Sequence, residues 1–224
     1  MAGRLFIVAT PIGNLGDMTL RSIETLKTVD YILCEDTRVT GKLLNHYQIS
    51  QKMVSFNDFS EAVKVPQITS DLLAGDSIAL VSDAGTPLIS DPGYKLVREA
   101  IAKGIEVESI PGPSAAITAL TVSGLPPDKF IFVGYLPKKD NKRKKFLEDL
   151  KGSRKIIKST LIAFESPFRL IKALEDIKDV FGDIDIVICR ELTKLHEEVR
   201  REKVSKSIDH FTKTKPKGEI IILF

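Results

Sequence analysis

VSDAGTPLISDPG, residues 81–93, continues an apolar run that begins at Ser77. The stretch is dense in residues that bend the backbone and expose peptide groups: Gly85, Pro87, Pro92 and Gly93. It also carries carboxylates at Asp83 and Asp91. A strand that empties into such a loop makes a ligand floor, because ligands of open α/β sheets bind outside the carboxyl ends of the strands. A second loop of the same character, IPGPSA (residues 110–115), follows one helix and one strand later.

Working outward, the same unit recurs. Leu5 to Ala9 is continuously apolar, the pattern of a buried parallel strand, and runs into the turn-rich TPIGNLG, residues 10–16. Asp17 or Thr19 caps a predicted helix over residues 19–27. Tyr31 to Cys34 reads as a strand ending in EDTR, Glu35 to Arg38, with a helix over about 38–46. A short strand is expected over Lys52 to Phe56. Residues 61–73 read as a helix in which Pro66 argues for a break or a late start. Helices over 93–103 and 113–122 flank a strand at 105–110. Repeated strand–helix alternation predicts an α/β fold: a doubly wound N-terminal domain, residues 1–122, with a mainly parallel sheet. SGLPPDK, residues 123–129, reads as a linker, and residues 130–224 as a second α/β domain with a mixed sheet. Its expected strands are 130–134, 160–163, 185–189 and the terminal GEIIILF. Its expected helices run to about 150 and to about 178.

The chain has 224 residues, 43% of them hydrophobic and 28% charged, which is the composition of a soluble globular protein. Lys and Arg exceed Asp and Glu by 33 − 30 = 3. That mild excess permits a nucleic-acid partner without arguing for one. Its distribution says more, since residues 138–145 read KKDNKRKK. A charged run is ordinarily a solvated face; as a phosphate contact it would act through Lys138, Lys139, Lys142, Arg143, Lys144 and Lys145 and be salt-sensitive. Cys34 and Cys189 lie in or beside apolar runs, which fits buried thiols in a reducing, cytoplasmic compartment. No signal peptide or membrane span is expected. His46, His196 and His210 lack partners at metal-ligand spacing, so no metal site is predicted.

No P-loop, dinucleotide fingerprint or nucleophile elbow occurs. Three polar sets follow apolar strands instead: Glu35, Asp36 and Arg38; Glu165 and Arg169; Glu191 and Lys194. Each has an ordinary explanation as a helix cap or an i,i+3 or i,i+4 ion pair. Three sets in comparable positions point to a polar cleft.

TPIGNLGDMTLR, EDTR, LVSDAGTPLISDPG, IPGPSAAITALTVSGLP, ESPFR, RELTK and KGEI, in that order, resemble the bacterial 16S ribosomal RNA small subunit methyltransferase I family, a branch of the tetrapyrrole (corrin/porphyrin) methylases. The resemblance covers nearly the whole chain. It implies two α/β domains with an S-adenosyl-L-methionine cleft between them, in a cytoplasmic homodimer. It implies methylation of the ribose 2′-hydroxyl of cytidine 1402 in 16S ribosomal RNA of the small subunit. It places cofactor contacts at Pro11, Ile12, Gly13, Asn14, Ser82, Asp83, Ala84, Gly85, Thr86, Ser114, Ala115, Phe164, Glu165, Ser166 and Leu192. Methyl transfer from a sulfonium needs in-line geometry and removal of a proton from a poor nucleophile. Glu35, Asp36 and Glu191 are the candidate bases; Arg38, Arg169, Lys194, Lys138, Lys139, Lys142 and Arg143 are the candidate substrate contacts.

The chain departs from the family pattern in three places. NDFSE, residues 57–61, keeps only Glu61 of a segment rich in histidine. Phe168 stands where histidine is common, and the sequence stops at Phe224 where many members continue. The last predicts altered RNA docking around an intact cofactor core. The competing readings are a small-molecule tetrapyrrole methylase of the same superfamily and a non-catalytic ribosome-associated protein.

Overall fold

The alternation of buried runs and amphipathic segments produces two compact units, residues Met1–Ser114 and Ala115–Phe224, in a computed structural model that describes residues 2–224. The first unit holds β1 (Arg4–Val8), α1 (Leu20–Thr28), β2 (Tyr31–Cys34), α2 (Thr37–His46), β3 (Met53–Ser55), α3 (Asp58–Ala74), β4 (Ile78–Leu80), α4 (Tyr94–Ala102) and β5 (Glu106–Ile110). Its strands form one wholly parallel sheet in the order β3-β2-β4-β1-β5. Alternate residues of each strand feed opposite faces. Leu5, Leu33, Ile78 and Leu80 pack with Ile68 and Leu72 of α3 and Leu96 of α4. Val8, Ile32, Cys34 and Ala79 pack with Leu26 of α1 and Leu43 and Leu44 of α2. Both faces are therefore covered, which is why these strands read as continuous apolar runs.

The second unit holds α5 (Ala115–Ser123), β6 (Phe130–Tyr135), α6 (Asp140–Ile156), β7 (Thr160–Glu165), α7 (Leu170–Phe181), β8 (Asp185–Arg190), β9 (Glu198–Lys203), α8 (Val204–Lys213) and β10 (Ile220–Leu223). Its sheet is mixed, in the order β6-β7-β10-β8-β9. β6 and β7 are parallel, and β10 runs antiparallel to both β7 and β8. All four residues of the central β10 are buried. Each such Ile or Leu contributes roughly 1.5–3 kcal/mol relative to exposure.

Several boundaries differ from the sequence expectation. The division falls after Ser114, and α5 packs on β10 and its neighbours, so this helix belongs to the second unit rather than closing the first. Arg201 fastens its C-terminus by donating to the carbonyls of Ser123 (3.1 Å) and Val122. α3 starts at Asp58 and runs through Pro66 without a break. Its start is set by a capping box in which Asn57 and Ser60 each accept the other's backbone N–H. Proline removes one helical donor there, and burial of Ile68 and Leu72 offsets that loss. α6 extends to Ile156, beyond the expected end near 150, and β9 and α8 were not foreseen.

Candidate functional site

In the first unit the loops that leave the carboxyl ends of four strands are stitched together. Thr10, after β1, exchanges backbone hydrogen bonds with Gly85 (2.9 and 3.1 Å), and its hydroxyl donates to the Ser82 carbonyl at 3.1 Å. The Asp36 backbone N–H, after β2, donates to the Asp83 carboxylate at 3.1 Å. The Thr86 hydroxyl donates to the Pro113 carbonyl, after β5, at 3.0 Å. TPIGN, EDTR, SDAGT and IPGPS thus form one edge of one sheet. Pro11 and Ile12 are buried in it, while Gly13 and Asn14 are exposed, with Asn14 accepting from the Gly16 N–H. Gly85 has φ 82°, and a Cβ there would press on Ile12 at 3.2 Å. Glycine thus lets the two loops approach this closely.

The 81–93 loop is held in a strained shape. Leu88 and Ser90 both have φ 71°, a left-handed conformation that costs about 1–3 kcal/mol for such residues. Glu61 of α3 clamps its end: the buried carboxylate accepts the backbone N–H groups of Gly93 and Lys95, both at 3.1 Å, at the start of α4. The sequence marked Glu61 only as a family match; an acid aimed at a helix start from 32 positions away leaves no local signal.

Carboxylates concentrate on this edge. Glu35 is exposed overall, yet partial desolvation of its carboxyl raises it, and the charges of Asp83, Asp58 and Asp36 add to it. Burial likewise raises Asp83. Asp91 is pushed up to about 6 by burial and by neighbouring Glu35. Asp36 goes the other way, held at about 2 by its bonds to the Arg38 side chain and N–H (2.6–3.2 Å). It is the N-cap of α2 and Arg38 is its ion-pair partner, so both are spent locally. Among the described residues no group of three or more His, Cys, Asp or Glu is spaced to hold a metal ion.

The second unit has its own edge. Glu165 and Arg190 both pair with Ile220, so β7 and β8 end level with each other, and β6 ends beside β7. From these ends leave the loop at 136–139, the ESPFR turn and the RELTK turn. Glu165 is buried, accepts the Ser166 N–H at 2.6 Å and pairs with Arg169 at 2.6 Å. Its Oε2 has no hydrogen-bond partner, and burial holds its acidity below that of a free carboxyl. Phe164 packs edge-on against Phe132 and Tyr135, and Leu192 is buried.

Arg143 corrects the sequence reading. Its side chain is 1% exposed and bonds Asp176, itself 0% exposed, at 2.6–2.7 Å, and Asp140 at 2.8 Å. It cannot meet a phosphate. On α6 it shares a face with buried Leu147 and Leu150, at spacings of four and seven. Lys144 is held by Asp179 (2.7 Å) and Lys145 by Asp149 (3.0 Å). Lys138, Lys139 and Lys142 remain exposed with no ion pair among the described residues. Glu191 is also committed: with φ 51°, it pairs with Lys194 at 3.0 Å and accepts the Glu219 N–H at 2.9 Å. Burial opposes its ionisation, but these donors hold it below the usual carboxylate range. A Cβ on Gly218 would overlap its carboxyl group. Of the three proposed bases, Glu35 alone keeps a carboxyl not bound up in a turn or cap. Ser114 and Ala115 fall on either side of the division between units.

No helix among the described residues is long and apolar enough to cross a membrane. The family model of the Tetrapyrrole (Corrin/Porphyrin) Methylases matches residues 4–207. A Thermotoga maritima protein named ribosomal RNA small subunit methyltransferase I is 50% identical over 221 residues, 99% of this chain and 97% of its own length. A protein of the same name from Halalkalibacterium halodurans is 47% identical, over 99% of this chain and 75% of its own. Among solved structures, a diphthine synthase superimposes with TM-score 0.76 at 14% identity, covering 98% of this chain and 88% of that one. A Thermus thermophilus uroporphyrin-III-C-methyltransferase superimposes with TM-score 0.66 at 18% identity, covering 100% and 92%. The parallel sheet, the mixed sheet and the run of loop motifs all belong to one pattern, and the chain is a member of the tetrapyrrole (corrin/porphyrin) methylases, S-adenosylmethionine-dependent methyltransferases.

Proposed function

We propose that the protein transfers a methyl group from S-adenosylmethionine to the ribose 2′-hydroxyl of cytidine 1402 in 16S ribosomal RNA, acting as a cytoplasmic homodimer. The observation that carries this reading is identity of 45–50% over nearly the whole chain to proteins named for that RNA. The donor set of the first unit's edge fits the cofactor. Pro11 to Asn14, Ser82 to Thr86 and Ser114 offer backbone groups and apolar surface for a nucleoside. Asp83 and Asp91 suit a ligand that carries an ammonium and a sulfonium. The family resemblance alone supports Ala115, Phe164 to Ser166 and Leu192 as further cofactor contacts.

S-adenosylmethionine supplies the methyl group, and transfer discharges its positive charge. Carboxylates near that charge stabilise the ground state, so they aid binding rather than rate. Glu35, raised by partial desolvation and by its acidic neighbours, is the stronger base and takes the hydroxyl proton. Lys138, Lys139 and Lys142 take phosphates. Arg38, Arg169 and Lys194 act through the loops they brace.

The test is transfer of labelled methyl to purified small-subunit ribosomal RNA, with a tetrapyrrole as the competing acceptor. Label in RNA that falls steeply with salt supports the reading; label only in the tetrapyrrole, or no binding of S-adenosylmethionine, overturns it.

A further inference from the structure

Phe168 is 97% exposed, in the middle of ESPFR. Single exposed apolar side chains are ordinary. The seat under this one is not. The Phe168 N–H donates to the Ser166 hydroxyl at 3.3 Å, and the Arg169 N–H to the Ser166 carbonyl at 3.0 Å. Glu165 holds both Ser166 and Arg169 from below. The nearby rings of Phe132, Phe164 and Tyr135 pack on one another, leaving Phe168 outside their cluster.

The turn is tied to the loop that bears the exposed lysines. Arg169 Nη1 donates to the Leu136 carbonyl at 3.1 Å, and Arg143 Nη1 to the carbonyls of Pro137 (3.2 Å) and Lys138 (3.4 Å). Two guanidinium groups, each balanced by a buried acid, thus brace one loop. An exposed ring and a cationic loop are thus linked through hydrogen-bonded neighbours. Unpaired RNA is recognised by this pair of features: bases stack on exposed rings while cations follow the phosphates. A duplex keeps its base faces covered and does not fit an isolated ring.

We infer that Phe168 is a nucleobase-stacking residue, taking one unpaired base of the RNA substrate while Lys138 and Lys139 hold the flanking phosphates. This rests on the RNA reading above. It makes Phe168 a substrate-binding residue and makes Arg143 and Arg169 its positioning residues.

The test uses the full chain with Phe168→Ala, Phe168→Leu and Phe168→Trp, assayed on small-subunit ribosomal RNA at saturating S-adenosylmethionine. Alanine and leucine should raise KM for RNA about tenfold or more, with kcat and cofactor affinity unchanged; tryptophan should keep KM near the parent value. The chain has no tryptophan, so Phe168→Trp also installs a single fluorophore. Its emission should be quenched by an unpaired RNA strand and not by a duplex of equal charge. Parent KM in the alanine and leucine variants overturns the inference, as does unquenched emission at saturating RNA. So does a changed oligomeric state with KM for RNA unaltered, which would make the ring a protein contact. Parent protein that transfers no methyl to RNA overturns the RNA reading instead.

Discussion

The two loop edges are built on opposite principles. In the first unit, backbone hydrogen bonds join neighbouring loops, and the charges left over are carboxylates pushed towards neutrality by burial and by each other. In the second, guanidinium–carboxylate pairs brace the loops, and the charges left over are exposed lysines. A count of charges therefore says little about a partner. What matters is which charges remain after the fold has used the rest. KKDNKRKK loses Arg143 to the core and Lys144 and Lys145 to local acids, and keeps three cations for solvent.

The largest effect should come from unbalancing a brace. Arg143→Met strips buried Asp176 of its hydrogen-bonded partner, leaving only Lys144 at 3.7 Å, and should cost about 3–5 kcal/mol in denaturant unfolding. The double variant with Asp176→Leu should recover most of it. If the single variant unfolds like the parent, the network is not the brace described here.

Next in size, replacing Lys138, Lys139 and Lys142 together by Gln should leave stability unchanged. The slope of log affinity for single-stranded RNA against log salt should fall by about 2, roughly 0.7 per lost contact. An unchanged slope would move the RNA surface elsewhere.

Gly218→Ala places a Cβ against Glu191 at a backbone φ of 82°. It should destabilise by about 1–3 kcal/mol while leaving cofactor affinity at the first edge untouched.

The smallest effect belongs to Asp91. Its folded pKa, about 6, lies above the usual value near 3.9, so the folded state binds the proton more tightly. Stability from this group is therefore present at low pH and falls as pH rises from about 4 to about 6. Asp91→Asn should gain on the order of 1 kcal/mol at pH 7.5, after discounting for partial exposure, and nothing at pH 3.5. Cofactor affinity of the parent should also weaken below pH 6 as this carboxylate is neutralised. A pH-independent gain would mean that Asp91 is not raised.

Much of the fold was legible. Strands buried on both faces read as unbroken apolar runs, and Gly/Pro loops marked their carboxyl ends. β9 was not legible, because EVRREK of residues 198–203 has no apolar run. Pro66 misled, since its local cost is outweighed by tertiary packing of α3. The site was legible to the level of loops and not of roles. EDTR and RELTK were found, but whether Asp36 caps α2 or Glu191 fills the space that Gly218 leaves depends on backbone geometry. Arg143 did carry a signal, its spacing to Leu147 and Leu150, which the surrounding lysines concealed. Glu61 had none, as its partners lie on another helix.

Mapping of ribose methylation along small-subunit ribosomal RNA, with and without the protein, tests the central claim most directly. A 2′-O-methyl group at cytidine 1402 should appear with the parent protein and be reduced strongly with Glu35→Gln. An unmethylated ribose at that position in the presence of active, cofactor-bound protein would contradict it.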